Sequence, residues 1–360
     1  TPKAGYSVYS LNLADIVGGG NGLGTGTYMA GINPGTGGLV GPGDPNPGTV
    51  TGDGFHPVSD LPFVDGVFIP HAAGYMQIAT TGLTMQHNYP ARDGNSWDYF
   101  RDGPTGGVTS VLGGVDYASA GHSLIGMHAN KGITFDLDAI RAANGGTDIN
   151  QFTCVFGDVA NGNGNTDFNV YLDGRLVYGI GGDLTARPLQ IAIGRERFLT
   201  ILATDGGDSY SYDQVMLGDP KLELAHNIAY GKPVGATAIY SSQYAATGAV
   251  DGRVNEEWSA TNPAAYWLLP NNTLGSLIVD LEGEFLIDRI DLQNTHNGGS
   301  RDRGTKEFQL LVSLDGLTWT PVVDDLLSFY DSATSALLNT PLESFEFTEV
   351  WARYVKFQVD

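Results

Sequence analysis

The sequence predicts an all-β protein made of two β-sandwich, or jelly-roll, domains in series. Short apolar runs alternate with turn signals from about residue 63 onward, as in FVDGVFI (63–69) and QFTCVFG (151–157). The pair Asp173-Gly174 separates two runs rich in β-branched and aromatic residues, a pattern typical of a β-hairpin. Only residues 137–143 favour a short helical turn. Many short strands without intervening helices indicate sheets packed as a sandwich.

The composition excludes several classes of partner. The 360 residues include 18 Lys and Arg against 40 Asp and Glu, a formal net charge of −22. Phosphate binding needs a basic surface, so we expect no nucleic-acid partner. No apolar run approaches the roughly 18 residues that span a bilayer, so we expect no direct membrane insertion. The low charge, the many Gly, Thr and Asn residues, and Thr1 at the start favour a secreted or cell-surface protein.

Three segments differ in their sequence pattern. Residues 1–54 are rich in glycine, and the stretches 18–26 and 41–48 lack helical or strand periodicity, so we expect surface loops or a flexible segment there. Residues 55–224 carry the first series of strands, and residues 226–360 carry the second. Cys154 is the only cysteine, which excludes a disulfide framework and a thiolate metal cluster. The apolar run around it predicts an inert thiol in the core.

Four motifs mark the second series of strands. They are N-I-A at 227–229, A-V-D-G at 249–252, S-L-D-G-L-T-W at 313–319 and A-R-Y-V-K at 352–356. Through these motifs, residues 226–360 resemble the discoidin family, the eight-stranded jelly roll shared by coagulation-factor C domains and family 32 carbohydrate-binding modules. The resemblance implies this fold and a lectin-like, glycan-binding role.

The resemblance also implies a calcium site. Its ligands would be the Asp251 side chain, the carbonyls of Gly248 and Arg253, and Glu256, where the family commonly has Thr. Calcium takes about six to eight oxygen ligands in flexible geometry, and a loop of carboxylates and carbonyls can provide them. The alternative is that Asp251 only caps its own turn.

Sugar binding in such modules uses loops at one end of the sandwich. Aromatic rings stack on the apolar faces of a sugar, and planar polar groups bond its hydroxyls. The candidate contacts are Tyr240, Tyr244, Tyr266, His296, Asn297, Arg301 and Arg303. Arg303 alternatively locks its own loop, and His296 alternatively stabilises its loop through a hydrogen bond. Arg301 has the least structural explanation, so we expect Arg301→Ala to weaken binding without unfolding the domain.

The family pattern usually continues beyond the A-R-Y-V-K strand, whereas this sequence ends at Asp360. We therefore expect the second domain to lack its last strand and to leave an open sheet edge, which favours pairing with another strand. Apolar and polar residues alternate in segment 6–13. We predict that this segment, or the same segment of another copy, adds a strand to the open edge, which would allow self-assembly by strand exchange. The other explanation is that the protein continues past residue 360 and supplies its own strand.

The first domain carries a different set of motifs. They are L-I-G-M-H-A-N at 124–130, G-I-T-F-D-L at 132–137, V-Y-L-D-G at 170–174 and T-D-G-G-D at 204–208. Residues 107–224 thereby resemble the NPCBM family, which is related to family 51 carbohydrate-binding modules, although Gln214 stands where the family typically has His. The resemblance implies a small β-sandwich that binds galactose-type sugars, sometimes with calcium.

Several loops of the first domain leave two interpretations open. Asp205 and Asp208 form either a calcium loop or an ordinary turn. Asp158 opens the oxygen-rich stretch DVANGNGN, which we interpret as a solvated loop. The run W-D-Y-F-R at 97–101 is either a sugar platform or a packed loop, and His128 is interpreted as a buried histidine.

The sequence contains no motif that indicates catalysis. There is no G-x-S-x-G, H-E-x-x-H or P-loop pattern, and no motif pairs two carboxylates as glycoside hydrolysis requires. We expect a secreted, calcium-stabilised, non-catalytic protein that binds a polysaccharide or glycoconjugate through two modules. The alternative is a structural surface or matrix protein that assembles into a fibre or layer, and the size of the purified protein in solution would distinguish the two.

Overall fold

The chain forms two compact units in a computed structural model. One unit comprises residues 1–190 and 196–225, and the other comprises residues 191–195 and 226–360. No helix of the described part is both long and apolar enough to cross a membrane. The described residues are 9–52, 54–70, 74–87, 94–106, 108–145, 147–159, 164–182, 184–225, 227–253, 266–295, 303–328, 340 and 342–359.

In its described part, the first unit is built from two large antiparallel sheets and three two-stranded sheets, two of which are hairpins. In chain order its strands are β1 (Tyr9–Asn12), β2 (Gly31–Ile32), β3 (Leu39–Val40), β4 (Thr49–Thr51), β5 (Gly54–Pro57), β6 (Val64–Ile69), β7 (Gly74–Gln77), β8 (Thr84–His87), β9 (Asn95–Trp97), β10 (Phe100–Asp102), β11 (Val111–Leu112), β12 (Val115–Asp116), β13 (Leu124–Gly126), β14 (Lys131–Asp136), β15 (Asp148–Asp158), β16 (Asp167–Leu172), β17 (Arg175–Ile180), β18 (Arg187–Ala192), β19 (Phe198–Thr204) and β20 (Val215–Ala225).

The two large sheets provide the core of this unit. One has the order β18-β15-β20-β13-β10-β2-β3, with β1 also paired to β20, and the other has the order β17-β16-β19-β14-β6-β5. Phe156 of the first sheet stacks on Phe168 of the second, with ring centroids 4.3 Å apart. The β7–β8 hairpin packs Met76 and Met85 against Phe68 of the second sheet. Because apolar side chains bury both faces of this sheet, β16 and β19 are buried along their whole length.

The fold class and several local predictions are confirmed. The described part is predominantly β-strand, as expected from the short apolar runs. The predicted helical turn is α2 (Leu137–Ala143), where the Asp136 side chain accepts a hydrogen bond from the Ala139 amide, 3.0 Å away. Asp173-Gly174 connects β16 and β17 as an antiparallel hairpin. Cys154 is buried, and burial raises the pKa of its thiol.

The glycine-rich segment is more ordered than the sequence predicted. It contains a short buried helix, α1 (Leu13–Val17), which Asn12 caps. The Asp15 carboxylate accepts hydrogen bonds from the amides of Gly22 and Gly26, each at 2.6 Å. A Cβ at Gly20 would lie 2.3 Å from Asp15 Oδ2, so only glycine fits there. Residues 18–26 form a mostly exposed surface loop, as expected, and this loop wraps around the buried Asp15 carboxylate.

Strand β1 belongs to the first unit. Tyr9 pairs with Leu224 and Asn12 pairs with Lys221, so β1 lies antiparallel to β20. The described part of the predicted donor segment thus completes its own unit in this structure, and Leu13 begins a helix instead of extending the strand. Residues 6–8 of that segment lie outside the described residues.

The second unit has a five-stranded antiparallel sheet in its described part, with the order β21-β22-β25-β23-β24. Register shifts between Asp280 and Phe285 and between Ile287 and Arg289 interrupt the long β22–β25 ladder. β25 pairs with β22 on one side and with β23 on the other. That the domain lacks a last strand stays a prediction. The elements are β21 (Val234–Ala236), the 3-10 helices Ser242–Tyr244 and Ala246–Ala249, β22 (Ser276–Gln293), β23 (Glu307–Ser313), β24 (Thr320–Leu326) and β25 (Leu342–Val359).

Candidate functional site

Four of the predicted sugar contacts lie together in the second unit and form what we call the tyrosine cluster: Tyr240, Tyr244, Tyr266 and Arg303. The rings of Tyr240 and Tyr244 meet edge to face with centroids 5.9 Å apart. Tyr244 and Tyr266 are 5.3 Å apart and tilted by 44°. The Arg303 guanidinium carbon lies 5.1 Å from the centre of the Tyr240 ring. Three aromatic rings and one cationic side chain are therefore contiguous.

Backbone and side-chain hydrogen bonds hold the tyrosine cluster in place. The Tyr240 amide donates to the Leu268 carbonyl at 2.7 Å, and the Trp267 indole donates to the Ala238 carbonyl at 2.9 Å. These two bonds tie the segment that carries Tyr240 to the segment that carries Tyr266. Such fixed rings cost little conformational entropy when a ligand binds.

The segment that follows Arg303 is held by Asn294, which the sequence analysis did not select as functional. The Asn294 side chain donates to the Thr305 carbonyl at 2.7 Å and accepts from the Thr305 amide at 3.0 Å. Asn294 is 5% exposed, so these bonds form away from water and replace a missing backbone partner. The sequence carries no distinctive signal for this role, because an asparagine directly after a strand is common.

The cluster offers both kinds of contact that a sugar requires. Tyr240 is 50% exposed, so about half of its surface is available to a ligand. Aromatic faces stack on the C–H groups of a sugar, and a guanidinium donates hydrogen bonds to hydroxyls. The other predicted contacts, His296, Asn297 and Arg301, lie outside the described residues.

The predicted calcium loop folds as a tight turn. The Asp251 Oδ1 atom accepts a hydrogen bond from the Arg253 amide at 2.9 Å, so Asp251 does cap its own turn. The Asp251 Oδ2 atom lies 3.7 Å from an Arg253 guanidinium nitrogen. Burial raises the pKa of Asp251 against the lowering effect of these contacts. Gly248 is buried in the second 3-10 helix, and Glu256 lies outside the described residues.

The two aspartates predicted as a calcium loop in the first unit have different surroundings. The Asp205 carboxylate accepts hydrogen bonds from the Asn130 side chain at 2.9 Å and from the Gly207 amide at 3.0 Å. Asp208 accepts from the Ser209 amide at 2.7 Å. Asp205 is fully buried and serves its own turn. Within the described ranges, no group of three or more His, Cys, Asp or Glu side chains is arranged to hold a metal ion.

The run at 97–101 is a packed loop and not an exposed platform. Asp98 and Arg101 are buried, and their side chains form an ion pair at 3.3 Å. Arg101 also donates to the carbonyls of Met29 and Asp44, which fastens the glycine-rich segment to the sandwich. The Lys131 ammonium donates to the carbonyls of Trp97 and Asp98. The charged residues of this run therefore stabilise the fold.

His128 is a buried histidine, as the sequence analysis interpreted it. It is 3% exposed, and its ring meets Tyr210 edge to face at 6.1 Å. Burial, together with the nearby Lys131 charge, lowers the pKa of His128 to about 3. The side chain is therefore neutral at physiological pH.

Comparison with known families agrees with both resemblances. Residues 91–223 match the NPCBM/NEW2 domain, and residues 233–360 match the F5/8 type C domain. The chain therefore carries these two domain matches in tandem. Both are β-sandwich domains of the carbohydrate-binding, lectin-like kind.

Several solved structures resemble one of the two domains at low identity. Chitosan-binding module 1 of a chitosanase/glucanase from Paenibacillus sp. IK-5 is 21% identical over 37% of this chain and 86% of that chain, with a TM-score of 0.27. The lectin domain of lectinolysin, solved with Lewis B antigen, is 23% identical over 37% of this chain and 85% of that chain, with a TM-score of 0.30. A family 51 carbohydrate-binding module from Clostridium perfringens, solved with methyl-galactose, is 18% identical over 50% of this chain and 94% of that chain, with a TM-score of 0.24. No curated protein matches the chain.

Proposed function

We propose that the protein is a secreted, non-catalytic glycan-binding protein whose F5/8 type C domain binds sugar at the tyrosine cluster. The observation that carries this proposal is the contiguity of Tyr240, Tyr244, Tyr266 and Arg303. A half-exposed ring beside a guanidinium supports stacking and hydroxyl recognition at one place.

The proposal includes a calcium ion that stabilises the Asp251 loop. The Asp251 carboxylate is half-buried and lies 3.7 Å from an Arg253 nitrogen, and carboxylate oxygens are ligands that calcium prefers. Asp251 would contribute its carboxylate, and Gly248, Arg253 and Glu256 would contribute the remaining oxygens. The role of the ion is structural, because a cation bound only by the folded loop stabilises that loop.

A glycan array tests the proposed function. The full chain is applied with 1 mM-scale calcium, roughly an extracellular level, and again with a chelator. Sugars bound by the wild type are then titrated against Arg303→Ala and Arg303→Lys. We expect the alanine variant to bind weakly and the lysine variant to recover part of the affinity, because a lysine keeps the charge but loses the planar fork. Absence of any bound glycan under both conditions would contradict the proposal.

The size of the protein in solution tests the alternative structural function. Assembly by strand exchange predicts polymers, whereas a binding protein predicts a defined small species. Pairing of β1 with β20 inside the first unit favours the binding protein, because it engages the described part of the predicted donor strand.

A further inference from the structure

The β7–β8 hairpin turns one side of its two strands towards solvent, and we call this side the hairpin face. Strand pairing places Tyr75 directly across from Gln86, and Gln77 directly across from Thr84. All four side chains are exposed, whereas the residues that alternate with them are more buried. Because successive residues of a strand point to opposite sides, the four exposed side chains share one face.

The opposite side of the hairpin anchors the hairpin face to the first unit. Met76 and Met85 are 5% and 1% exposed and pack against Phe68. At the tip of the hairpin, the Thr80 amide and hydroxyl each donate to the Asp65 carboxylate at 2.7 Å. The hairpin face is therefore held in place before any ligand arrives, which lowers the entropy cost of binding.

The hairpin face is free of ionic charge. None of the residues 74–87 is Asp, Glu, Lys or Arg, although the chain has 40 acidic and 18 basic residues. The Gln77 Nε2 atom donates to the Ala79 carbonyl at 2.8 Å, which fixes this amide and leaves its oxygen as an acceptor. The exposed Gln86 amide offers a further acceptor and two N–H donors. An uncharged, hydroxyl-rich ligand is complementary to such a surface.

Tyr75 supplies an aromatic ring at the centre of these polar groups. It is 78% exposed, more than any other aromatic side chain in the described ranges. A ring beside amides can stack on the C–H face of a sugar while the amides bond its hydroxyls. A stable protein interface takes roughly 20–30 residues from each partner, far more than the hairpin face provides. The chemistry and the small area of this face therefore favour a glycan over a protein or a second copy of the chain.

We propose that the hairpin face is a carbohydrate-binding surface for an uncharged polysaccharide chain, with Tyr75 as the stacking ring and Gln77 and Gln86 as the hydroxyl contacts. The hairpin precedes residues 91–223, which match the NPCBM/NEW2 domain, so this surface is not a part of the matched domain. It is also separate from the tyrosine cluster, because the hairpin belongs to the first unit. Either surface can therefore bind sugar without the other.

Affinity gel electrophoresis of the full chain tests this surface. A Tyr240→Ala background weakens the tyrosine cluster, and each gel contains one uncharged polysaccharide: dextran, mannan, galactan or hydroxyethyl cellulose. We expect at least one of them to retard the background protein. Adding Tyr75→Ala should weaken that binding roughly tenfold, because the stacked ring is lost. Adding Tyr75→Phe should preserve the binding, and adding Gln86→Ala should weaken it about threefold through lost hydrogen bonds.

The matched control is Tyr28→Ala, which removes another exposed tyrosine of the first unit, 54% exposed, and should leave the retardation unchanged. The proposal is overturned if none of the four polysaccharides retards the Tyr240→Ala protein, a result that leaves the tyrosine cluster itself intact as a site. It is overturned as well if folded Tyr75→Ala is retarded as strongly as its parent. Dimers that form with rising concentration and that Tyr75→Ala abolishes in sedimentation would assign the face to a second copy instead.

Discussion

Tyr240→Ala is the most direct test of the tyrosine cluster. Tyr240 is 50% exposed, and a tyrosine side chain can bury roughly 200 Å². A sugar stacked on the ring would therefore cover about 50–100 Å², which is worth about 1–2.5 kcal/mol at about 25 cal/mol per Å². We expect the dissociation constant for a glycan bound by the wild type to rise roughly fivefold to seventyfold.

The assay is calorimetric titration of that glycan into the full chain. Tyr240→Phe keeps the ring and should stay within about threefold of the wild type, because stacking does not need the hydroxyl. Tyr75→Ala is the matched control, because Tyr75 is 78% exposed and lies in the other domain. Wild-type affinity in a folded Tyr240→Ala protein would refute the assignment of the site.

Three further predictions concern stability. Burial lowers the pKa of Lys131 to about 7, whereas the pKa of a lysine in the unfolded chain is about 10.4. Between these two pH values the unfolded state binds more protons than the folded state. The free energy of unfolding therefore rises as the pH increases through this range. Lys131→Met should flatten this rise in urea denaturation at pH 7 and pH 9, and an unchanged slope would contradict the reasoning. Asp15→Asn should lower the free energy of unfolding by about 2–3 kcal/mol. The asparagine would keep one oxygen as an acceptor, but its NH2 group would face the second glycine amide, so that two donors meet without an acceptor. A loss as small as that of the surface variant Asp60→Asn would argue against this role of Asp15. Calcium at 100 times its Kd should add about 2.7 kcal/mol to the free energy of unfolding of the second domain. A chelator should therefore lower the melting temperature of this domain in the wild type but not in Asp251→Ala. Equal falls in the wild type and the variant would exclude that site.

The candidate site was partly predictable from the sequence. Tyr240, Tyr244, Tyr266 and Arg303 could be selected because they lie in predicted loops, and modules of the resembled family bind sugar on loops at one end of the sandwich. Their contacts could not be predicted, because three separate loops must be brought together by the sheet that β22 and β25 form. Asn294 was missed as a positioning residue, since an amide at the end of a strand has no distinctive pattern until its partner, Thr305, is known.

The sequence by itself determined the features that depend on neighbouring residues. Alternation of apolar residues predicts strands, Asp173-Gly174 predicts a hairpin, and Asp136 caps the helix that follows it. These signals are local because backbone geometry and side-chain period repeat within a few residues.

Only the tertiary structure decided what the charged and glycine-rich residues do. Asp15 organises the loop at 18–26, and Arg101 becomes buried because it reaches the carbonyls of Met29 and Asp44. Asp213 meets the loop of Asp158 only when β15 and β20 pair. The physical reason is that a buried charge must find its hydrogen-bond partners wherever the fold supplies them, and those partners are distant in the sequence.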